Sequence, residues 1–199
     1  MENQLPANHR GVGLVVQSKG RLLWAISSRP HWRHISGRQY IYFSGIGGGV
    51  ERGETSEEAA RRECREETEC SVELLPAPIT YVLDDIGGSV EKVAGWETSP
   101  LMVWRKRLLG RRTLLAYAYL GRTMGTPKPT MEVPALLFAS TKEILRRNTP
   151  TIREVLDEAG SLVEASAIPR KAVLRPWGTP VYLRRLMTRQ AFDPIRALV

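Results

Sequence analysis

The chain has 199 residues, 42% of them hydrophobic and 25% charged, with a formal net charge of +8 at pH 7. That length is expected to give one domain with a real core, and the composition excludes disordered and fibrous classes. No stretch approaches the roughly 18 apolar residues of a membrane helix, and the opening "MENQLPANHR" lacks the charged-then-apolar pattern of a secretory signal, so a cytoplasmic protein with no membrane partner is expected.

Two apolar runs, "VGLVVQ" at 12–17 and "RLLWAIS" at 21–27, flank "SKG" and predict a β-hairpin. A basic, aromatic loop "SRPHWRHISGRQ" follows at 28–39, then a short strand "YIYF" at 40–43 that runs into glycines. From Thr55 to about Glu69 every residue tolerates a helix, and Thr55 or Ser56 can cap its start with Glu58 or Glu57 close behind. β-Prone runs come next at 71–75, 79–83, 101–105, 113–120 and 133–140. The glycine-bearing stretch 84–100 is expected as a long loop of the kind that serves as a lid or binding loop. Segments 141–147 and 151–159 are expected as helices, whereas about 160–199 mixes prolines, arginines and apolar residues without clear periodicity. Cys64 and Cys70 lie six positions apart in the predicted helix, a rise of about 9 Å, so reduced thiols are expected. Strands on either side of one acidic helix, with helices late, predict an α/β or α+β single domain built on a mixed sheet covered on both faces.

The stretch "GGGVERGETSEEAARRECREETEC" at 47–70 carries the chemistry. A helix brings Glu63, Glu66 and Glu67 to one side, where like charges repel by a few tenths of a kcal/mol per pair. Oxygen ligands gathered in this way suit a hard divalent cation, Mg2+ or Mn2+, which removes the repulsion. Gly47, Gly48 and Gly49 let the backbone approach a ligand closely and offer carbonyls to a metal, as a site for a phosphorylated substrate requires. A solvated, salt-bridged helix face is the plainer reading of the same charges.

Gly48, Glu54, Arg62, Glu63, Glu66 and Glu67 stand at the spacing of the signature of the Nudix hydrolase family, which the stretch resembles. Three positions depart from that signature: Glu69 stands where the family has glycine, and Cys64 and Cys70 occupy aliphatic positions. Buried cysteine behaves as a small hydrophobe, but a glutamate that must end the helix in a left-handed conformation is strained. The hairpin, the strand 113–120 and "EVPALLFASTKEIL" at 132–145 also fall in the order of the Nudix fold, which implies an α/β/α sandwich around a mixed sheet.

The resemblance implies hydrolysis of a nucleoside diphosphate linked to another moiety, by attack of water on phosphorus. It implies that Glu63, Glu66 and Glu67, with the Gly48 carbonyl, hold metal, that Arg62 orients the glutamates and that Glu54 supports Arg62 or the metal shell. For a further base or ligand from a later loop, Glu132 ranks first and Glu97 second, with Glu91 beside it. In the basic loop, Arg29, Arg33 and Arg38 are candidates for phosphate binding and Trp32 for stacking on a base, while Trp24 and Trp104 read as core. "RPWGTP" at 175–180 could close over the site, although Trp177 reads equally as packing.

Two other readings compete: a Nudix fold that senses a nucleotide and regulates a partner without turnover, and a pyrophosphohydrolase acting on RNA 5′ ends. The intact glutamate set weighs against the sensor, and the lack of an RNA-binding motif makes nucleic acid the lesser partner. A nucleotide-type small molecule is the expected substrate, and a homodimer is compatible with the sequence.

Overall fold

The computed structural model describes residues 9–85, 89–94, 99–108, 112–145, 149–158 and 160–190. The chain opens with β1 (His9–Ser18) and β2 (Arg21–Ile26), a tight hairpin turned by Lys19 and Gly20, both at positive φ. A single 3₁₀ turn leads to β3 (Arg33–Ile35) and β4 (Arg38–Ser44), and then to α1 (Ser56–Thr68). Next come β5 (Ser71–Leu75), β6 (Ile79–Asp84), β7 (Val90–Ala94), β8 (Met102–Arg107), β9 (Thr113–Met124) and β10 (Ala135–Ala139). The chain continues through α2 (Thr141–Ile144), α3 (Ile152–Asp157), β11 (Ser161–Glu164), β12 (Val173–Pro176) and α4 (Thr179–Gln190).

The strands form one mixed sheet whose main path runs β11-β10-β2-β1-β9-β8-β6-β7. β1 and β9 pair in parallel at its centre, with Leu14 opposite Tyr119. A parallel pair at the centre of a sheet is covered on both faces, which explains why "VGLVV" is apolar throughout instead of alternating. The two faces sort cleanly. Val12, Leu14 and Val16 join Ala59, Ala60 and Cys64 of α1 on one side, whereas Val15, Trp24, Ile41 and Phe43 meet Leu183 and Leu186 of α4 on the other. With Ile144 of α2 and Val155 of α3 also on the α4 side, the layers are α/β/α. The fold is a mixed α+β architecture, as expected, and both cysteines are free and buried. Among the described residues, no helix is long and apolar enough to cross a membrane.

The structure is more regular than the sequence suggested, and the predicted loop 28–39 itself contains β3. The stretch 84–100 is not all loop, because it contains β7, an edge strand that pairs antiparallel with β6. The C-terminal segment, whose structure the sequence left open, is regular over its described residues: β11 pairs with β10, β12 pairs in parallel with β4, and α4 follows. The helical signal was present in Tyr182, Leu183, Leu186 and Met187, which sit at i, i+1, i+4 and i+5.

A fork in the sheet makes room for the site. β2 pairs with β1 through Leu22 and Leu23, then with β4 through Ala25 and Ile26. β1 and β4 thus diverge, and the glycine segment enters between them, bridging Gly49 to Gly11 and Ile46 to Leu14.

Candidate active site

The acidic helix is fixed at both ends. Thr55 Oγ1 accepts from the Glu58 N–H at 3.2 Å, and the Glu58 carboxylate accepts from the Thr55 N–H at 2.8 Å, a complete capping box. At the other end Glu69 is left-handed, with φ 55° and ψ 16°, in the place where glycine is cheaper. Ala59, Ala60 and Cys64 bury one stripe against the sheet, and Ser56 Oγ lies 2.7 Å from the buried Tyr119 hydroxyl. The stripe carrying Glu63, Glu66 and Glu67 is thereby turned toward the glycine segment.

Arg62 organises that stripe. Its Nη1 donates to Glu63 at 2.9 Å and to Glu66 at 2.8 Å, its Nε to Glu54 at 3.0 Å, and its Nη2 to the Gly49 carbonyl at 2.8 Å. Glu54 stays below the usual carboxylate range because of its hydrogen bond to Arg62. Glu63 is 8% exposed, and burial pushes its carboxyl up although Arg62 pulls the other way. Its carboxylate occupies the space over Gly48 that any Cβ there would claim. The Gly48 carbonyl accepts from the Val12 N–H at 2.9 Å, which leaves one lone pair of that oxygen uncommitted to the sheet.

Glu67 is half-buried and reaches the glycine backbone directly. Its Oε2 accepts from the Gly47 N–H at 3.0 Å, a contact made where Gly47 adopts φ 149° with its Cα packed on the β1 backbone. Burial pushes Glu67 up to about 8 against the pull of that N–H, and the charges of Glu63, Glu132 and Glu66 push the same way. Four carboxylates therefore share one electrostatic neighbourhood. As they stand, no three of the acidic, His or Cys side chains among the described residues are arranged around a single metal position; Glu63 and Glu66 are engaged by Arg62, and Glu67 by Gly47. The donor chemistry fits a hard divalent cation, since these are oxygen ligands crowded by like charge and partly buried.

A cleft of about 420 Å³ holds Glu67 and Glu132 together with Ser27, His31, Arg33, Tyr42 and Trp177. Tyr42 and Ser44 face it because β4 alternates, with Ile41 and Phe43 buried in the opposite core. Of the proposed substrate-binding residues, Arg33 lines the cleft, and its Nη1 is anchored on the Pro30 and Trp32 carbonyls at 3.1 and 3.0 Å. Arg29, Trp32 and Arg38 are not among the lining residues. The Trp32 indole instead donates to the Ser27 carbonyl at 2.7 Å and packs on the core, with Arg29 beside its ring. Among the additional carboxylates, Glu132 reaches the cleft, whereas Glu91 sits exposed on the edge strand β7 and Glu97 lies outside the described residues. Trp24 and Trp104 are core. Tyr42 was not anticipated as a cleft wall, and Trp177, weighed equally as closing over the site and as packing, lines it.

Comparison with known proteins follows the same line. The chain superposes on the E. coli ORF135 protein with 21% identity and a TM-score of 0.44, over 69% of this chain and 77% of that one. A NUDIX-family hydrolase from Clostridium perfringens gives 22% identity and a TM-score of 0.46 over 78% and 94% of the respective chains. An ADP-ribose pyrophosphatase from Streptococcus suis gives 15% and 0.43 over 71% and 78%. Comparison with curated proteins finds no match. The family model of the NUDIX domain matches residues 7–159, a span that holds the capped acidic helix, the glycine segment and Glu132, and the chain belongs to the Nudix hydrolase family.

Proposed function

We propose that this chain is a divalent-cation-dependent pyrophosphohydrolase that cleaves the diphosphate linkage of a nucleotide-type molecule, a nucleoside diphosphate joined to another group. The observation that carries this reading is the position of Glu67, crowded by Glu63, Glu66 and Glu132 and opening into a cleft that also bears Arg33 and Trp177. Glu63, Glu66, Glu67 and the Gly48 carbonyl are the groups to hold Mg2+ or Mn2+. The ion, when bound, withdraws charge from the phosphate oxygens and lowers the pKa of water.

The protein's own groups do the rest. Arg62 aligns Glu63 and Glu66 through one guanidinium, itself braced by Glu54. Arg33 and His31 offer N–H donors to phosphate oxygens in the cleft. Glu132, which lines the cleft, takes the role of accepting the proton of the attacking water. As the water oxygen bonds to phosphorus, the bond from phosphorus to the bridging oxygen breaks and that oxygen leaves with the electron pair as part of the second phosphate. A cytoplasmic location fits the reduced cysteines.

The test is release of phosphate products from a panel of nucleoside triphosphates, sugar nucleotides, dinucleoside polyphosphates and capped RNA, with Mg2+ or Mn2+, for wild type and Glu66→Gln. Turnover of one substrate class that depends on the cation and falls at least about a hundred-fold in the variant is expected. Absence of turnover across the panel, or turnover untouched by the substitution, overturns the proposal.

A further inference from the structure

Part of the cleft is built by a segment that the family match does not reach. The match ends at residue 159, whereas Trp177 follows β12, which joins the sheet beside β4 with Leu174 opposite Ile41 and Arg175 opposite Tyr42. The Trp177 N–H donates to the Phe43 carbonyl at 2.9 Å, so the strand pairing extends to the ring that lines the cleft. Its indole is 62% exposed. Isolated exposed aromatics are common, but this one shares a concave site with a carboxylate cluster and with basic side chains. Tyr42 meets it edge-on at a centroid distance of 5.9 Å, and the Lys106 ammonium lies 5.5 Å from its ring.

The platform is also held in place from behind. Gly178, at φ 63°, turns the chain into α4. Thr179 at the start of α4 fills the space over Gly13 and Gly45, where a Cβ on either glycine would collide with it. One turn on, Tyr182 stacks on Trp104 at 4.7 Å, and its hydroxyl donates to Asp85 at 2.6 Å, with Arg185 bonded to the same carboxylate. With the backbone fixed on both sides of Trp177 before a ligand arrives, little chain freedom is lost on binding. A rigid π-face favours a planar partner over a flexible chain.

We propose that Trp177 is the stacking platform for the nucleobase of the substrate, and that the C-terminal segment 160–190 is the specificity element of the enzyme, selecting aromatic-base nucleotides over base-free diphosphates. The base lies on the indole, and the diphosphate runs past Arg33 toward Glu67 and Glu132. This rests on the reading of the cleft as a pyrophosphate-hydrolysing site, and it is tested by binding instead of turnover so that the two can fail separately.

The experiment is titration calorimetry of the full chain in Mg2+ with uncleavable analogues. These are the α,β-methylene diphosphates of adenosine, guanosine, cytidine and uridine, and the base-free methylene analogue of ribose 5-diphosphate. Wild type is expected to bind at least one nucleoside analogue about ten-fold or more tighter than the base-free compound, the scale of one stacked base. Trp177→Ala should bring the two within about two-fold by losing affinity for the nucleoside analogue only, and Trp177→Phe should retain most of the difference. Equal wild-type affinity with and without a base, no binding of any nucleoside analogue, or an equal loss for both compounds in Trp177→Ala overturns the proposal. Because the indole is mostly exposed, both variants should keep the wild-type melting temperature, which is checked alongside. Base-dependent binding without turnover of the substrate panel would leave Trp177 as the platform and remove the hydrolase.

Discussion

Glu67 sits half-buried among carboxylates of like charge, and its surroundings set how it titrates. The Glu67 carboxyl, pushed up to about 8 mainly by burial, favours the folded state while it is neutral in both states. As pH rises above the ordinary carboxylate value near 4.5, the unfolded chain ionises and the folded one resists, so stability is lost progressively up to about pH 8. The loss is on the order of a few kcal/mol. Glu67→Gln should therefore match wild type in chelator-containing buffer near pH 4.5 and exceed it in thermal stability at pH 8, while abolishing turnover. Added Mg2+ should raise the wild-type melting temperature at pH 8 and leave that of the variant unchanged. A variant whose stability runs parallel to wild type across this pH range would show that Glu67 carries no such burden. Glu63, also pushed up by burial but held by Arg62, adds to the same trend. The grouping of these residues on one helix face was readable because helical spacing brings them to one side, and spacing is what a sequence displays. Whether Trp177 closes over the site or packs was left open by the sequence, because its neighbour Tyr42 comes from a strand far away and only the sheet pairing brings the two rings together.

At the scale of elements, α1 is specified locally, and its one irregularity is measurable. Its start was legible because the capping box is a contact between residues three apart, Thr55 and Glu58. Its end was legible as strain: Glu69 adopts φ 55°, and its ion pair with Lys128 spans 3.9 Å between well-exposed side chains, which offsets little. Glu69→Gly should stabilise the protein by about 0.5–1 kcal/mol in urea unfolding. A neutral or destabilising result would mean that the Lys128 contact or chain entropy outweighs the left-handed penalty. The elements that escaped the sequence were those defined by distant partners. β7 is a polar edge strand, VEKVA, that exists because β6 offers it a ladder. β12 is four residues ending in proline, acceptable as a strand because it lies at the margin of the sheet, where a missing N–H costs little. α4 kept a readable apolar stripe, obscured by the arginines between.

For the whole molecule, the C-terminal segment is as much core as cover. Leu174, Tyr182, Leu183 and Leu186 are buried in the same cluster as Trp24, Ile41 and Phe43, and β12 covers the edge of β4. The full chain should unfold in a single transition by calorimetry, as one domain. A chain cut after residue 160 should lose that cooperative transition and expose apolar surface to a dye such as ANS. A truncated protein that melts cooperatively within a few degrees of wild type would instead make the segment an accessory. β12 and β4 pair Val173 with Tyr40, a contact far apart in sequence whose loop closure costs entropy. Synthesis proceeds from the N-terminus at about 5–20 residues per second, so the glycine segment and acidic helix leave the ribosome several seconds before the aromatic wall exists. The nascent chain therefore presents its carboxylate helix well before the strand and the indole that wall the cleft beside it.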